Sequence, residues 1–157
     1  MADSLREQIM NAVATRMGTI LTANGYATNI GSKFHEWKVT AWEENEVPGV
    51  TVRDYEETIE HAASSRDYPK LKVGIEAADI AVADLGAQAR KIIADITKAV
   101  GTDVNWTVSS TRLAQMTKNL GNKVQAEQEN ETIVVVTVEI EIDYRMAKWD
   151  PYTQVGQ

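Results

Sequence analysis

The stretch TIVVVTVEIEIDYRMAKWDPYT, residues 132–153, decides the fold. Val134, Val136, Val138, Ile140, Ile142 and Tyr144 alternate with Ile133, Val135, Thr137, Glu139, Glu141, Asp143 and Arg145. Alternate residues of an extended chain point to opposite faces, so this period of two predicts a β-strand. One face is apolar throughout and suits a pair of covering helices, whereas the other is apolar at its start and charged afterwards. The run lasts about 14 residues, or about 46 Å at the usual rise of a strand. A compact domain of this length has a radius of gyration of about 15 Å and a solid-sphere diameter of roughly 39 Å. The strand is therefore expected to outrun its own domain and to offer unpaired backbone groups to a neighbouring subunit. At and beyond its end lie Tyr144, Arg145, Trp149, Asp150, Pro151 and Tyr152. Aromatic side chains in a segment past the core are candidate interface anchors, and residues 146–157 are read as a C-terminal interface tail.

Upstream of this strand, Gln128-Glu129-Asn130-Glu131 reads as a polar turn and residues 124–128 as an antiparallel partner. Residues 107–116 also carry β signals. Further back, Leu85, Ala89, Ile92, Ile93, Ile96 and Val100 form a helical stripe, capped by Asp79 or Asp84 and closed by Gly101. Residues 71–77, 50–55 and 33–39 read as strands, with HAASSRDYP at 61–69 as a loop and Val47-Pro48-Gly49 as a turn. At the start, Asp3 or Ser4 can cap a helix whose apolar stripe is Leu5, Ile9, Val13, Met17, Ile20 and Leu21. Asn24-Gly25 is expected to end it after about five turns. Helix, three strands, helix and three strands predict an α+β fold: a mixed, mostly antiparallel sheet with two amphipathic helices on one face. The other face is expected to be only partly covered.

At 157 residues the chain is read as one domain, residues 1–157. It has no cysteine, which excludes disulfides, thiolate metal sites and cysteine nucleophiles. No run approaches the length of a membrane span, and MADSLREQIM lacks the apolar core of a signal peptide, so a cytosolic origin is expected. The net charge is −7, the wrong sign for gripping phosphates. Residues 43–60, EENEVPGVTVRDYEETIE, hold seven acids against Arg53, and a second acidic run comprises Glu127, Glu129, Glu131, Glu139, Glu141 and Asp143. These are either solvated faces or a negative surface that repels DNA or meets a basic partner.

Catalytic constellations are hard to assemble from this sequence. His35-Glu36 begins a zinc-protease HExxH pattern, but position 39 is Val. His61 is the other histidine, too few for a histidine-based metal site. Gly31-Ser32-Lys33 lacks the correctly spaced upstream glycine and strand of a phosphate loop, and Glu36-x-Lys38 lacks the upstream strand Asp of a metal nuclease. Ser64-Ser65 has no evident base beyond His61. No cofactor is expected, and an enzyme is not.

The opening MADSLREQIMNAV, the segment NIGSKFHEW followed by an acidic bend and PGVTVRD, the helix ARKIIADITKAVGTD, and the ending TVEIEIDYRMAKWDPY together resemble the tail terminator, or tail completion, proteins of long-tailed bacteriophages and prophages. The likeness spans nearly the whole chain, and its most specific piece is the strand running into Tyr144-Arg145 and Trp149-Asp150-Pro151-Tyr152. It implies a non-enzymatic virion protein, made in the bacterial cytoplasm, that forms a homo-hexameric ring on the head-proximal end of the tail tube. Such a ring ends tube polymerisation, meets the tail tube protein and the neck or head completion proteins, and passes DNA through its channel without specific binding. Glu43, Glu44, Glu46, Glu139, Glu141 and Asp143 are then candidate channel-lining acids. Three alternatives remain at this stage. They are another head–tail connector component, a metal-assisted hydrolase using Asp54, Glu56 and Glu57, and a ligand-binding module in the sheet's concavity.

Overall fold

Ser4 opens the first helix, α1 (Leu5–Met17), by accepting a hydrogen bond from the Glu7 N–H at 3.2 Å. Leu5, Ile9, Val13 and Met17, four residues apart, are its buried stripe. The computed structural model, which describes residues 1–62, 65–128 and 132–156, ends this helix two turns before the expected stop. Gly18 caps it, and the Thr19 hydroxyl donates to the Arg16 carbonyl. Ile20 remains buried because the chain turns under the helix, where the Gly31 N–H donates to its carbonyl at 3.0 Å. A Cβ on Gly31 would sit 2.6 Å from the Met17 carbonyl oxygen, so the glycine serves this close approach. Gly25, at φ 84°, closes a separate short 3-10 turn, Thr22–Asn24.

Strand β1 (Phe34–Glu36) is shorter than predicted, because Trp37 turns the chain at φ 48°. Strands β2 (Gly49–His61) and β3 (Arg66–Ile80) are much longer than the apolar positions within them, and they consume most of the expected 61–69 loop. Ser64 lies outside the described residues. Helix α2 (Leu85–Gly101) is capped by Asp84, which accepts from the Ala87 N–H at 3.0 Å; Asp79 instead accepts from the Gln88 side chain. The region read as strand 107–116 is a small hairpin, β4 (Thr107–Val108) and β5 (Thr111–Arg112), turned by Ser109 and Ser110 at positive φ.

Strands β6 (Met116–Gln128) and β7 (Thr132–Asp143) form the predicted antiparallel hairpin. Glu129, Asn130 and Glu131 of its turn, and the Glu127 side chain, lie outside the described residues. The sheet runs β1-β2-β3-β7-β6, and among the described residues its one parallel pair is β1 with β2. Two short strands complete it: β8 (Met146–Ala147) pairs with β3, and β9 (Asp150–Gln154) folds back on β8.

Both helices pack on one face, as the alternation in β7 requires. Val134, Val136, Val138, Ile140 and Ile142 join Val50, Val52, Leu71, Val73, Ile75 and Ala77 beneath Ile9, Val13, Ile92 and Ile96. Asp95 is buried on this side of α2 and accepts from the Thr28 N–H, the Thr28 hydroxyl and the Ala27 N–H, which anchors the chain after α1. On the opposite face, Trp42 and Val47 cover Ala78, Ile133 and Val135. The loop carrying them is held by Trp42 Nε1 donating to Glu76 at 2.7 Å and by a Lys38–Glu46 ion pair at 2.8 Å.

The projecting strand is the main correction to the sequence reading. β7 is 12 residues long and is paired from end to end, with β3 on one side and β6 on the other. Its neighbours are just as long, so the sheet is a slab rather than a sphere, and the size argument does not apply. The unpaired backbone lies elsewhere, on β6 and on the outer half of β2.

Candidate assembly surfaces

The residues expected at an interface separate into two groups. Tyr144 is only 3% exposed, and its hydroxyl donates to Glu57 Oε2 at 2.7 Å. Burial first, and then the Glu57 carboxylate, push its pKa well above the ordinary tyrosine value. Its side chain belongs to the core, a correction to its reading as an anchor. Arg145 lies over the Tyr68 ring at 5.6 Å and also donates to the Gly156 carbonyl. Trp149, Asp150, Pro151 and Tyr152 form the outer edge of the β8–β9 hairpin, with Trp149 79% and Tyr152 51% exposed. The tail is thus folded onto its own chain but presents two large aromatic surfaces.

Asp67 fixes the base of that hairpin. It is 1% exposed, and its carboxylate accepts from the Trp149 N–H at 3.2 Å and contacts His61 Nδ1 at 2.7 Å. Burial alone would raise its pKa, but the His61 bond and the Trp149 N–H outweigh it and hold the carboxyl below its ordinary value. The His61 and Trp149 rings lie 5.3 Å apart. His35 is also placed structurally, against the Glu46 carbonyl at 3.1 Å and the edge of Trp42.

The acidic candidates occupy different settings. Glu43, Glu44 and Glu46 ride on a 3-10 turn, Glu44–Glu46, where Glu43 and Glu46 form a capping box. The Lys38 ammonium, followed by the Glu43 N–H, lowers the Glu46 pKa, while Glu43 and Glu44 face solvent. Glu139, Glu141 and Asp143 lie on the sheet face away from the helices. Lys72 is registered opposite Glu141 and Lys70 opposite Asp143, and the Lys118 ammonium is 3.5 Å from Glu141 and 3.4 Å from Asp143. Glu141 and Asp143 are thus compensated across the sheet, whereas Glu139 is registered between Gly74 and Gly121 rather than against a base.

The carboxylates of the hydrolase alternative do not converge. A bulge between Asp54 and Glu56 leaves Asp54 and Glu57 on the helix side and turns Glu56 to the opposite face. Asp54 accepts from Arg6 at 2.6 Å and from the Trp37 indole at 2.9 Å, whereas Glu56 pairs with Lys72 at 3.1 Å. Among the described residues no group of three or more His, Asp or Glu side chains is arranged to hold a metal ion. An open groove of about 580 Å³ lies between α1 and the β4–β5 hairpin, lined in part by Arg16, Tyr26, Val108 and Leu113, and not in the concavity of the sheet.

Sequence reasoning missed the two sheet edges. Among the described residues β1 covers β2 only at Val50–Val52, so none pairs with the outer side of β2 from Tyr55 to His61, and none pairs with the outer side of β6. Tyr55 and Ile59 are exposed on one edge, and Met116, Leu120 and Val124 on the other. Lys118 and Lys123 suit an edge strand but mask its alternation in the sequence, and the bulge at Asn119/Gly121 is seen only in the pairing. No helix among the described residues is long and apolar enough to cross a membrane. No protein-family model matches this chain, and no curated protein matches it at a significant level.

Proposed function

We propose that this chain is a structural subunit of a bacteriophage tail, assembling head-to-tail into a hexameric ring that caps the head-proximal end of the tail tube. The observation that carries the reading is the pair of unlike open edges on opposite sides of one sheet. When one patch docks on a different patch of the next copy, successive contacts either close a ring or run on as a filament. The sequence resemblance to tail terminators supplies the closed ring and its place in the virion. On this reading the ring meets the tail tube protein on one side and neck or head completion proteins on the other, and DNA passes through its channel. Glu43 and Glu44, exposed at the start of a short 3-10 turn, are better suited to repel DNA than Glu141 and Asp143, which lysines balance; Glu139 stands between two glycines and stays a candidate.

Mixing the purified chain with assembled tail tubes tests the reading. A cap binds at saturating stoichiometry to one end and cross-links to the tube protein. Cross-links confined to portal-side proteins would make it a neck component, and binding to neither would end the proposal.

A further inference from the structure

On the sheet face away from the helices, one cross-strand row alternates in sign over four strands. Glu56 on β2 is registered opposite Lys72 on β3, Lys72 opposite Glu141 on β7, and Glu141 opposite Lys118 on β6. The Glu56–Lys72 and Lys118–Glu141 contacts are 3.1 and 3.5 Å. A second path begins at Glu60, 3.3 Å from Lys70, crosses to Asp143 and also ends at Lys118. Each path starts with an acid on the open edge of β2 and ends with a base on the open edge of β6.

We propose that β6 of one copy pairs antiparallel with the outer half of β2 of the next, with Lys118 beside the neighbouring Glu56, so that the charge row continues from subunit to subunit. This rests on the ring reading above and names the surfaces that close the ring. Three features support it. β2, β3, β7 and β6 alternate in direction. A neighbour placed with its helices on the same face therefore brings its β6 antiparallel to β2, the arrangement already used throughout the sheet. In this register residues 116–119 of β6 lie beside residues 55–58 of β2, next to the Val50–Val52 segment that β1 covers, and both edges expose apolar side chains, Tyr55 and Ile59 on β2 and Met116 and Leu120 on β6. The charges also select the partner. Two β6 edges would bring Lys118 and Lys123 against their own kind, and two β2 edges would do the same with Glu56 and Glu60, an arrangement that disfavours self-pairing of like edges.

The absence of native cysteine makes the test direct. Positions 56 and 118 are three strand spacings apart within one chain, about 14 Å, too far for an internal disulfide. Directly opposed residues of an antiparallel pair lie within disulfide reach. Mild oxidation of the double variant Glu56→Cys/Lys118→Cys should give a ladder of covalent oligomers ending in a closed species. Each single-cysteine variant should stay monomeric on a denaturing gel. The pairing is overturned if the double variant gives no ladder, or if the single variants dimerise as readily. A failed ladder with tubes still capped removes this pairing and leaves the cap standing. A ladder with tubes left uncapped removes the cap and leaves the pairing.

Discussion

The Tyr144 hydroxyl and the Glu57 carboxylate, 87 residues apart in sequence, meet at 2.7 Å and join the end of β7 to the outer half of β2. Arg6 approaches the same carboxylate at 4.0 Å and pairs with Asp54 at 2.6 Å, so α1 is drawn into one network with both strands. The open half of β2 is thereby held in place from the helix side while its outer edge stays unpaired.

Tyr144→Phe removes the donor and leaves Glu57 partly desolvated. The expected cost is about 1–3 kcal/mol, a drop in Tm of several degrees for a chain of this size. Thermal unfolding followed by circular dichroism measures it. An unchanged Tm would show that Glu57 finds another donor.

The depressed Asp67 carboxyl makes the hairpin base sensitive to acid. A carboxylate whose folded pKa is lowered stabilises the fold above its unfolded value, here 3.8, and loses that contribution as pH falls through the lower folded value. Urea midpoints at pH 7, 5 and 3 should fall steeply over the last interval for the wild type. The fall should be shallower for Asp67→Asn, which starts from a lower midpoint at pH 7. Parallel curves would assign the acid sensitivity to other carboxyls.

Trp149 and Tyr152 are exposed on a hairpin whose other members are tied to β3 and α1. Trp149→Ala and Tyr152→Ala should each change stability by no more than about 0.5 kcal/mol. If these rings anchor a partner, each should weaken tube-end binding by about tenfold or more. Truncation after Arg145 is a different experiment, because it strips buried Met146 from the core and uncovers Asp67. A loss of fold there is expected and says nothing about the interface.

Charge reversal separates unlike-edge pairing from other modes of assembly. Glu56→Lys gives a subunit with a base on both edges, and Lys118→Glu one with an acid on both. Each should remain folded, since exposed ion pairs contribute about 1 kcal/mol or less, and each alone should fail to form rings. Mixed in equal amounts, they should restore an even-numbered ring with alternating subunits, read by native mass spectrometry with one variant isotopically labelled. Rings from either variant alone, or none from the mixture, would contradict the pairing.

The central strand, both helices and the α+β class were legible because Val134 to Ile142 and the stripes of α1 and α2 place apolar residues at the period of their element. The sheet edges were not, because an edge strand buries too little to carry a pattern. Lys118, Asn119, Asn122 and Lys123 hide β6, and Glu56, Glu57 and Glu60 hide the second half of β2. Helix α1 was read too long because Ile20 is buried by a chain reversal that continues the stripe without continuing the helix. Glu139, Glu141 and Asp143 looked like one acidic row because a sequence displays one strand at a time, whereas the lysines that compensate Glu141 and Asp143 sit on β3 and β6.

The length of tail tubes polymerised in the presence of this chain is the most direct measurement. A ring cap should shorten the tubes in proportion to its concentration and leave a single ring visible at one end of each tube by electron microscopy. Tubes of unchanged length with bare ends, or tubes coated along their sides, would contradict a role as a tail terminator.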